Sequence, residues 1–106
     1  MENGGRIMAY KSRLKDPFLD EFFEAVLLLK NQEDCYRFFE DIATVGELKS
    51  LSQRLAVAKM LTADETYTAI SESTGASTAT ISRVKRCLNY GADGYKLVLE
   101  RLKNNR

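Results

Sequence analysis

Gly75-Ala76-Ser77-Thr78-Ala79-Thr80-Ile81-Ser82-Arg83-Val84 is the stretch that most constrains this chain. Gly75 can take the positive φ that a sharp turn between two helices needs. Ser77 can cap the helix that follows through its side-chain oxygen. Ile81 and Val84, three residues apart, share one helical face and can anchor that helix to a core. Thr78, Ala79 and Ser82 point elsewhere and are short enough to let a backbone approach the edges of bases. The pattern reads as the turn and second helix of a helix-turn-helix, the element that enters the major groove of DNA.

The whole chain sets bounds on that reading. Its 106 residues suit one domain with a modest core. The single proline, Pro17, leaves helices free to run uninterrupted behind it. No apolar run approaches the roughly 20 residues that span a bilayer, and Met1 to Tyr10 lack the apolar centre of a signal peptide. A cytoplasmic protein with no membrane association is expected. There is no histidine, and Cys35 and Cys87 have no CxxC spacing. A His-based catalytic triad is excluded and no metal site is expected. Both cysteines are expected to be free, buried thiols. From residue 54 onward there are nine Lys or Arg against five Asp or Glu, and the first part of the chain is acidic in balance. A polyanionic partner would prefer the second part, and a solvated charged surface is the simpler alternative.

Helix signals recur along the chain. Residues 1–15 hold Gly4-Gly5 and four cations with Glu2 the only acid, and form a flexible basic N-terminal arm or simply a loose terminus. Asp16-Pro17 suits the cap and first position of a helix. Phe18, Phe22, Ala25, Val26 and Leu29 recur at helical spacing, and Leu19, Phe23, Leu27 and Leu28 widen the stripe. A helix apolar around most of its circumference calls for burial on more than one side, and a second subunit is the simplest source. Asn31 can cap a second helix with Cys35, Phe38, Phe39 and Ile42 apolar. Thr44-Val45-Gly46-Glu47 has capping-box form and opens a third helix carrying Leu48, Leu51, Leu55, Ala58, Met60 and Leu61. A short fourth helix runs from about Thr66 to Thr74, with Ala69 and Ile70 inward. The fifth runs from Ser77 to about Tyr90 and is closed by Gly91. Asp93 and Gly94 begin a last one with Tyr95, Val98, Leu99 and Leu102 apolar. No period-two pattern survives, so the class is all-α with about six helices. Residues 16–106 form the helical domain, with the helix-turn-helix at about 66–90.

Gly75 in the ninth position of the helix-turn-helix frame puts Ile70, Ile81 and Val84 at its apolar positions, and the small Ser71 where two helices touch. Arg83, Lys85 and Arg86 make the second helix basic with no acid on it. The competing reading is a plain corner between two helices. Thr78, Ala79 and Ser82 are expected to face base edges, the hydroxyls serving several bases and the Ala79 methyl meeting a thymine methyl. Side chains this short leave part of the specificity to water and DNA shape. Thr66, Tyr67 and Thr68 begin the preceding helix and suit phosphate oxygens. Lys85 and Arg86 add phosphate contacts, and Ser77, Thr80 and Arg83 complete the candidate set. No catalytic constellation is present, so an enzyme is not expected. A protein- or RNA-binding adaptor on the same scaffold is the alternative to a DNA-binding one.

With Glu33-Asp34-Cys35-Tyr36-Arg37-Phe38-Phe39, Ser52-Gln53-Arg54-Leu55 and above all Thr74 to Gly91, the chain resembles the Trp repressor superfamily and its YerC/YecD branch of small bacterial proteins. The resemblance spans about residues 15–103. It implies an intertwined homodimer whose N-terminal helices interlock, set on a palindromic double-stranded operator as a transcriptional regulator, a repressor by analogy. It also implies an effector pocket built on Arg54, Arg83 and Cys87. In the Trp repressor a glycine follows the recognition-helix arginine and leaves room for the indole. Val84 stands there in this chain and a serine near the ligand is replaced by Cys87. No cofactor is therefore expected, and no tryptophan corepressor.

Overall fold

The computed structural model describes residues 10–106, which form six α-helices and no strand: α1 (Pro17–Leu27), α2 (Gln32–Ile42), α3 (Val45–Thr62), α4 (Tyr67–Thr74), α5 (Thr78–Tyr90) and α6 (Gly94–Asn104). Residues 1–9 of the expected basic arm lie outside the described residues. The chain falls into two compact units that divide within α2, one ending at Phe39 and one spanning Glu40–Arg106.

In the first unit, helix starts are written locally. Asp16 caps α1, its Oδ1 accepting from the Phe18 N–H at 2.9 Å with Pro17 in the first turn. Lys15 pairs with Asp20 one turn on. Asn31 Oδ1 accepts from the Asp34 N–H at 2.8 Å and starts α2. Phe22 packs its ring against Phe38 and Phe39, with centroids 6.0 and 6.4 Å away. No residue of α1 or α2 is buried. Phe18 is 87% exposed and Leu27 82%, and Phe23, Leu28 and Ile42 are exposed as well. The wide apolar stripe of α1 is real: Leu19, Phe22, Ala25, Val26 and Leu29 are half-buried, and Phe18, Phe23, Leu27 and Leu28 stay exposed.

The second unit holds the core. Val57 and Ala58 of α3, Ile70 of α4, Ala76 of the following turn, and Ile81, Val84 and Leu88 of α5 are buried together. Met60, Leu61, Tyr67, Tyr95 and Leu99 pack partly against them. α3 is the central strut, in contact with α4, α5 and α6. Its own spacing is misleading. Leu51 is exposed, whereas Val57 and Ala58 carry its buried face. Val98 of α6 is likewise exposed. Cys35 and Cys87 are free as expected but exposed rather than buried. On α5 the core stripe is Ile81, Val84 and Leu88, and Cys87 lies beside that stripe instead of in it.

The end of α5 and the start of α6 fall at Gly91 and Asp93-Gly94 as expected, each with a backbone geometry of its own. Gly91 closes α5 in an extended conformation, φ −88° and ψ −153°, not a left-handed one. A Cβ there would meet the Cys87 carbonyl oxygen at 2.4 Å, so close backbone approach is what requires glycine. Asp93 precedes α6 at φ 65° with no side-chain capping bond, so it turns the chain without capping the helix.

The capping box of α3 is complete. Thr44 Oγ1 accepts from the Glu47 N–H at 3.1 Å, and the Glu47 carboxylate accepts from the Thr44 N–H at 2.8 Å. The bond from the Thr44 backbone, then that with its side chain, holds the Glu47 carboxyl below its ordinary 4.5. A pKa lowered by folding adds stability that is present above the unfolded value and is lost as pH falls through the folded one. Wild type is therefore expected to exceed Glu47→Gln in stability near neutral pH, with the gap closing on acidification to about pH 3. Urea unfolding at the two pH values reads this, and a gap of equal size at both would show that the charge contributes nothing.

Candidate nucleic-acid interface

The turn between α4 and α5 is held from three directions. Gly75 has φ 75°, the left-handed conformation that costs a β-carbon residue strain, and its N–H donates to Ser71 O at 2.8 Å. The nearest atom a Cβ would meet is 3.9 Å away, so conformation and not space selects glycine here. Thr74 Oγ1 donates to Ile70 O at 2.7 Å and accepts from the Ala76 N–H at 3.1 Å. Gln53 of α3 reaches across and donates from Nε2 to Thr74 O at 3.1 Å. Ala76 is then buried, so the turn is fastened to the core on its inner side. Gln53, Thr74 and Ala76 were not among the expected site residues. Their work is positional, and no local pattern reveals a bond spanning 21 residues.

Past the turn, Ser77 Oγ accepts from the Thr80 N–H at 3.1 Å and starts α5. Its hydroxyl donates to Thr80 Oγ1 at 3.2 Å, so both groups serve the cap and the Thr80 hydroxyl keeps the free proton. α5 is sharply two-faced. Ile81 is 0% and Val84 1% exposed on one side. Thr78, Ala79, Ser82, Arg83, Lys85 and Arg86 are all exposed. At roughly 100° per residue, Thr78, Ala79, Ser82, Arg83 and Arg86 form one continuous arc opposite the core. Small side chains lead that arc and cations close it.

α4 supplies the flank. Thr66 Oγ1 accepts from the Ala69 N–H at 3.1 Å as the cap of α4, leaving its O–H as a donor toward solvent. Thr68 is exposed. Tyr67 differs from a free surface phenol, because it is half-buried against the core. Lys85 Nζ lies 5.9 Å from the centre of its ring, a cation–π contact that links α5 to the first turn of α4. The exposed groups of both helices therefore sit on one braced unit.

The expected effector residues are not joined in this way. Arg54 is folded along its own helix, Nε donating to Ser50 O at 3.4 Å and Nη2 to Ser50 Oγ at 3.2 Å. Arg83 and Cys87 are exposed on α5, and neither makes a side-chain bond to Arg54.

The model of the Trp repressor protein family matches residues 18–103, which spans α2 to α5 whole and all but one end residue of α1 and of α6. The chain belongs to the Trp repressor family. Members of this family are regulators, not enzymes. The chain is 56% identical over 91 residues to YerC of Bacillus subtilis, a protein described as uncharacterised, covering 86% of this chain and 88% of YerC. Two solved structures have the same all-helical architecture. A Trp repressor-like protein of Staphylococcus aureus aligns at TM-score 0.83 with 54% identity, over 86% of this chain and 91% of its own. A TrpR-like protein of Eubacterium eligens aligns at TM-score 0.83 with 56% identity, over 86% and 94%. No described helix is long and apolar enough to cross a membrane.

Proposed function

We propose that this protein is a homodimeric, sequence-specific DNA-binding regulator of transcription that occupies a palindromic operator through α4 and α5 and represses by excluding polymerase. The observation that carries the reading is the two-faced α5. Its core side is fully packed, its exposed arc combines Thr78, Ala79 and Ser82 with the cations Arg83 and Arg86, Lys85 stands beside that arc, and the helix holds no acid. Short residues let the helix backbone approach the floor of the major groove, and cations at its edge meet phosphates. Thr66 and Thr68 at the start of α4 donate to phosphate oxygens on the flank, with Ser77 and Thr80 near the same strand. Tyr67 acts chiefly by bracing Lys85. Membership of the Trp repressor family and the unpacked apolar face of α1 support the dimer. Action on DNA places the protein in the cytoplasm.

The regulator works without tryptophan in this reading. Val84 fills the core at the place where room for an indole would be needed, and Arg54 is engaged with Ser50. Selection of bound duplexes from random DNA at stated salt is expected to return a palindrome with half-sites about one helical turn apart. The binding constant should fall steeply with added salt, as counterions are released from neutralised phosphates. Added L-tryptophan should leave the affinity unchanged within twofold. Recovery of no preferred duplex, with a stable protein or RNA complex in its place, would make the chain an adaptor. A tenfold gain with tryptophan would restore the corepressor.

A further inference from the structure

The second unit carries a cavity of about 570 Å³ among the end of α3, the loop that follows it, α5 and α6. Carboxylates enter its wall from the loop, at Asp64 and Glu65, and ammonium groups from the helices, at Lys85 of α5 and Lys96 of α6. Leu61 and Leu88 supply apolar wall. Among the described residues no ion pair joins the two sets of charges. Lys85 lies over the Tyr67 ring, and Lys96 has a long pair of 3.7 Å to Asp93. Neither carboxylate has an ion-pair partner among the described residues.

Folding does not call for an acid at position 64. The Asp64 N–H donates to Leu61 O at 3.0 Å and the Glu65 N–H to Met60 O at 3.1 Å, the paired bonds of a Schellman ending to α3. Asp64 holds the left-handed place in that motif, at φ 60°. Glycine is the residue that takes this conformation without a Cβ penalty. A carboxylate there also meets the negative end of the helix dipole. Backbone geometry and helix electrostatics both favour glycine over the residue present, and the cavity beside it is what a carboxylate at this place can serve.

We propose that this cavity binds a small zwitterion whose ammonium and carboxylate are separated by an apolar spacer, a ligand of the ω-amino acid type. The ammonium meets Asp64 and Glu65, the carboxylate meets Lys85 and Lys96, and the spacer lies on Leu61 and Leu88. Balanced charges on the wall favour a ligand carrying both signs over a simple anion or cation. Because the wall charges do not pair with each other, the charges of the ligand must also stand apart, which those of an α-amino acid do not. The site is separate from Arg54, Arg83 and Cys87. At roughly 100° per residue, Lys85 and Leu88 lie on the side of α5 away from Arg83 and Cys87. Solvated charges contribute little each, so binding in the millimolar range is expected.

The test is an NMR titration of the full chain with ε-aminocaproate in the absence of DNA, so its outcome does not depend on the DNA-binding reading. Saturable shifts are expected at amides around the cavity. Caproate and hexylamine each lack one charge, and norleucine is the isomer whose charges adjoin; all three should bind weaker by about fivefold or more. Asp64→Gly should lose a similar factor while its melting temperature holds or rises, since glycine suits the left-handed place. Lys96→Met should weaken ε-aminocaproate and caproate and leave hexylamine unchanged. Absence of saturable shifts in the millimolar range overturns the proposal. So does affinity that neither variant changes. Norleucine binding as tightly as ε-aminocaproate would likewise overturn it, because separated charges would then not be what the cavity recognises.

Discussion

Ala79→Glu is expected to abolish operator binding, by more than about 100-fold or roughly 2.7 kcal/mol, while the protein stays folded. Ala79 is exposed in the first turn of α5, immediately after Thr78. Glutamate is a good helix former, and a negative charge in the first turn complements the helix dipole. The substitution touches no core residue, so the melting temperature should hold or rise slightly. Its effect on DNA is of the opposite kind. A longer side chain pushes the helix out of the groove, and its charge is brought among phosphates where cations are needed. Gel shift and thermal unfolding on the same sample separate the two. A folded variant that still binds would put the recognition face somewhere other than the Thr78–Ala79–Ser82 arc.

Ile81→Ala should have the largest effect on stability. Ile81 is fully buried at the meeting of α3, α4 and α5, and its removal leaves a cavity that close-packed neighbours fill only in part. Substitutions of this kind cost about 2–5 kcal/mol. In a domain of this size each kcal/mol lowers the melting temperature by roughly 4–8 °C. A fall of about 10 °C or more is therefore expected in a circular dichroism melt. DNA binding below the melting range should weaken less than in Ala79→Glu, because the exposed arc is chemically intact. A shift under about 5 °C would mean that α5 is not held by its core face.

Helix starts were legible because their chemistry is confined to three or four neighbouring residues. Asp16-Pro17, Asn31, Thr44 with Glu47, and Ser77 all cap as their sequence suggests, and Thr66, read as the first residue of α4, is its cap. The left-handed Gly75 was legible for the same reason. Burial was less so. Leu51 and Val57 are both apolar residues of α3, yet only Val57 faces α4 and α5, and nothing local distinguishes them. Cys35 and Cys87 suit a core by composition and were placed outside it by neighbours far away in sequence. Gly91 closes α5 as its sequence suggests, but the reason for glycine, close approach to Cys87 O, lies in the folded backbone.

For the site, the exposed arc of α5 followed from the period of Ile81, Val84 and Leu88, since burying one face of a helix exposes the opposite one. The bracing did not. Gln53 on Thr74 O and Lys85 over Tyr67 join residues from different helices, which only a packed tertiary structure brings within reach.

The sequence by itself determined where each helix begins, how the α4–α5 turn is made and which side of α5 carries its cations. Each of these depends on residues a turn or two apart. The tertiary structure alone decided which apolar residues form the core, that Phe18, Phe23, Leu27 and Leu28 of α1 stay exposed, and that cations from α3 and α6 converge on one groove. The physical reason is distance along the chain: burial and charge density are sums over neighbours in space, and those neighbours are not neighbours in sequence.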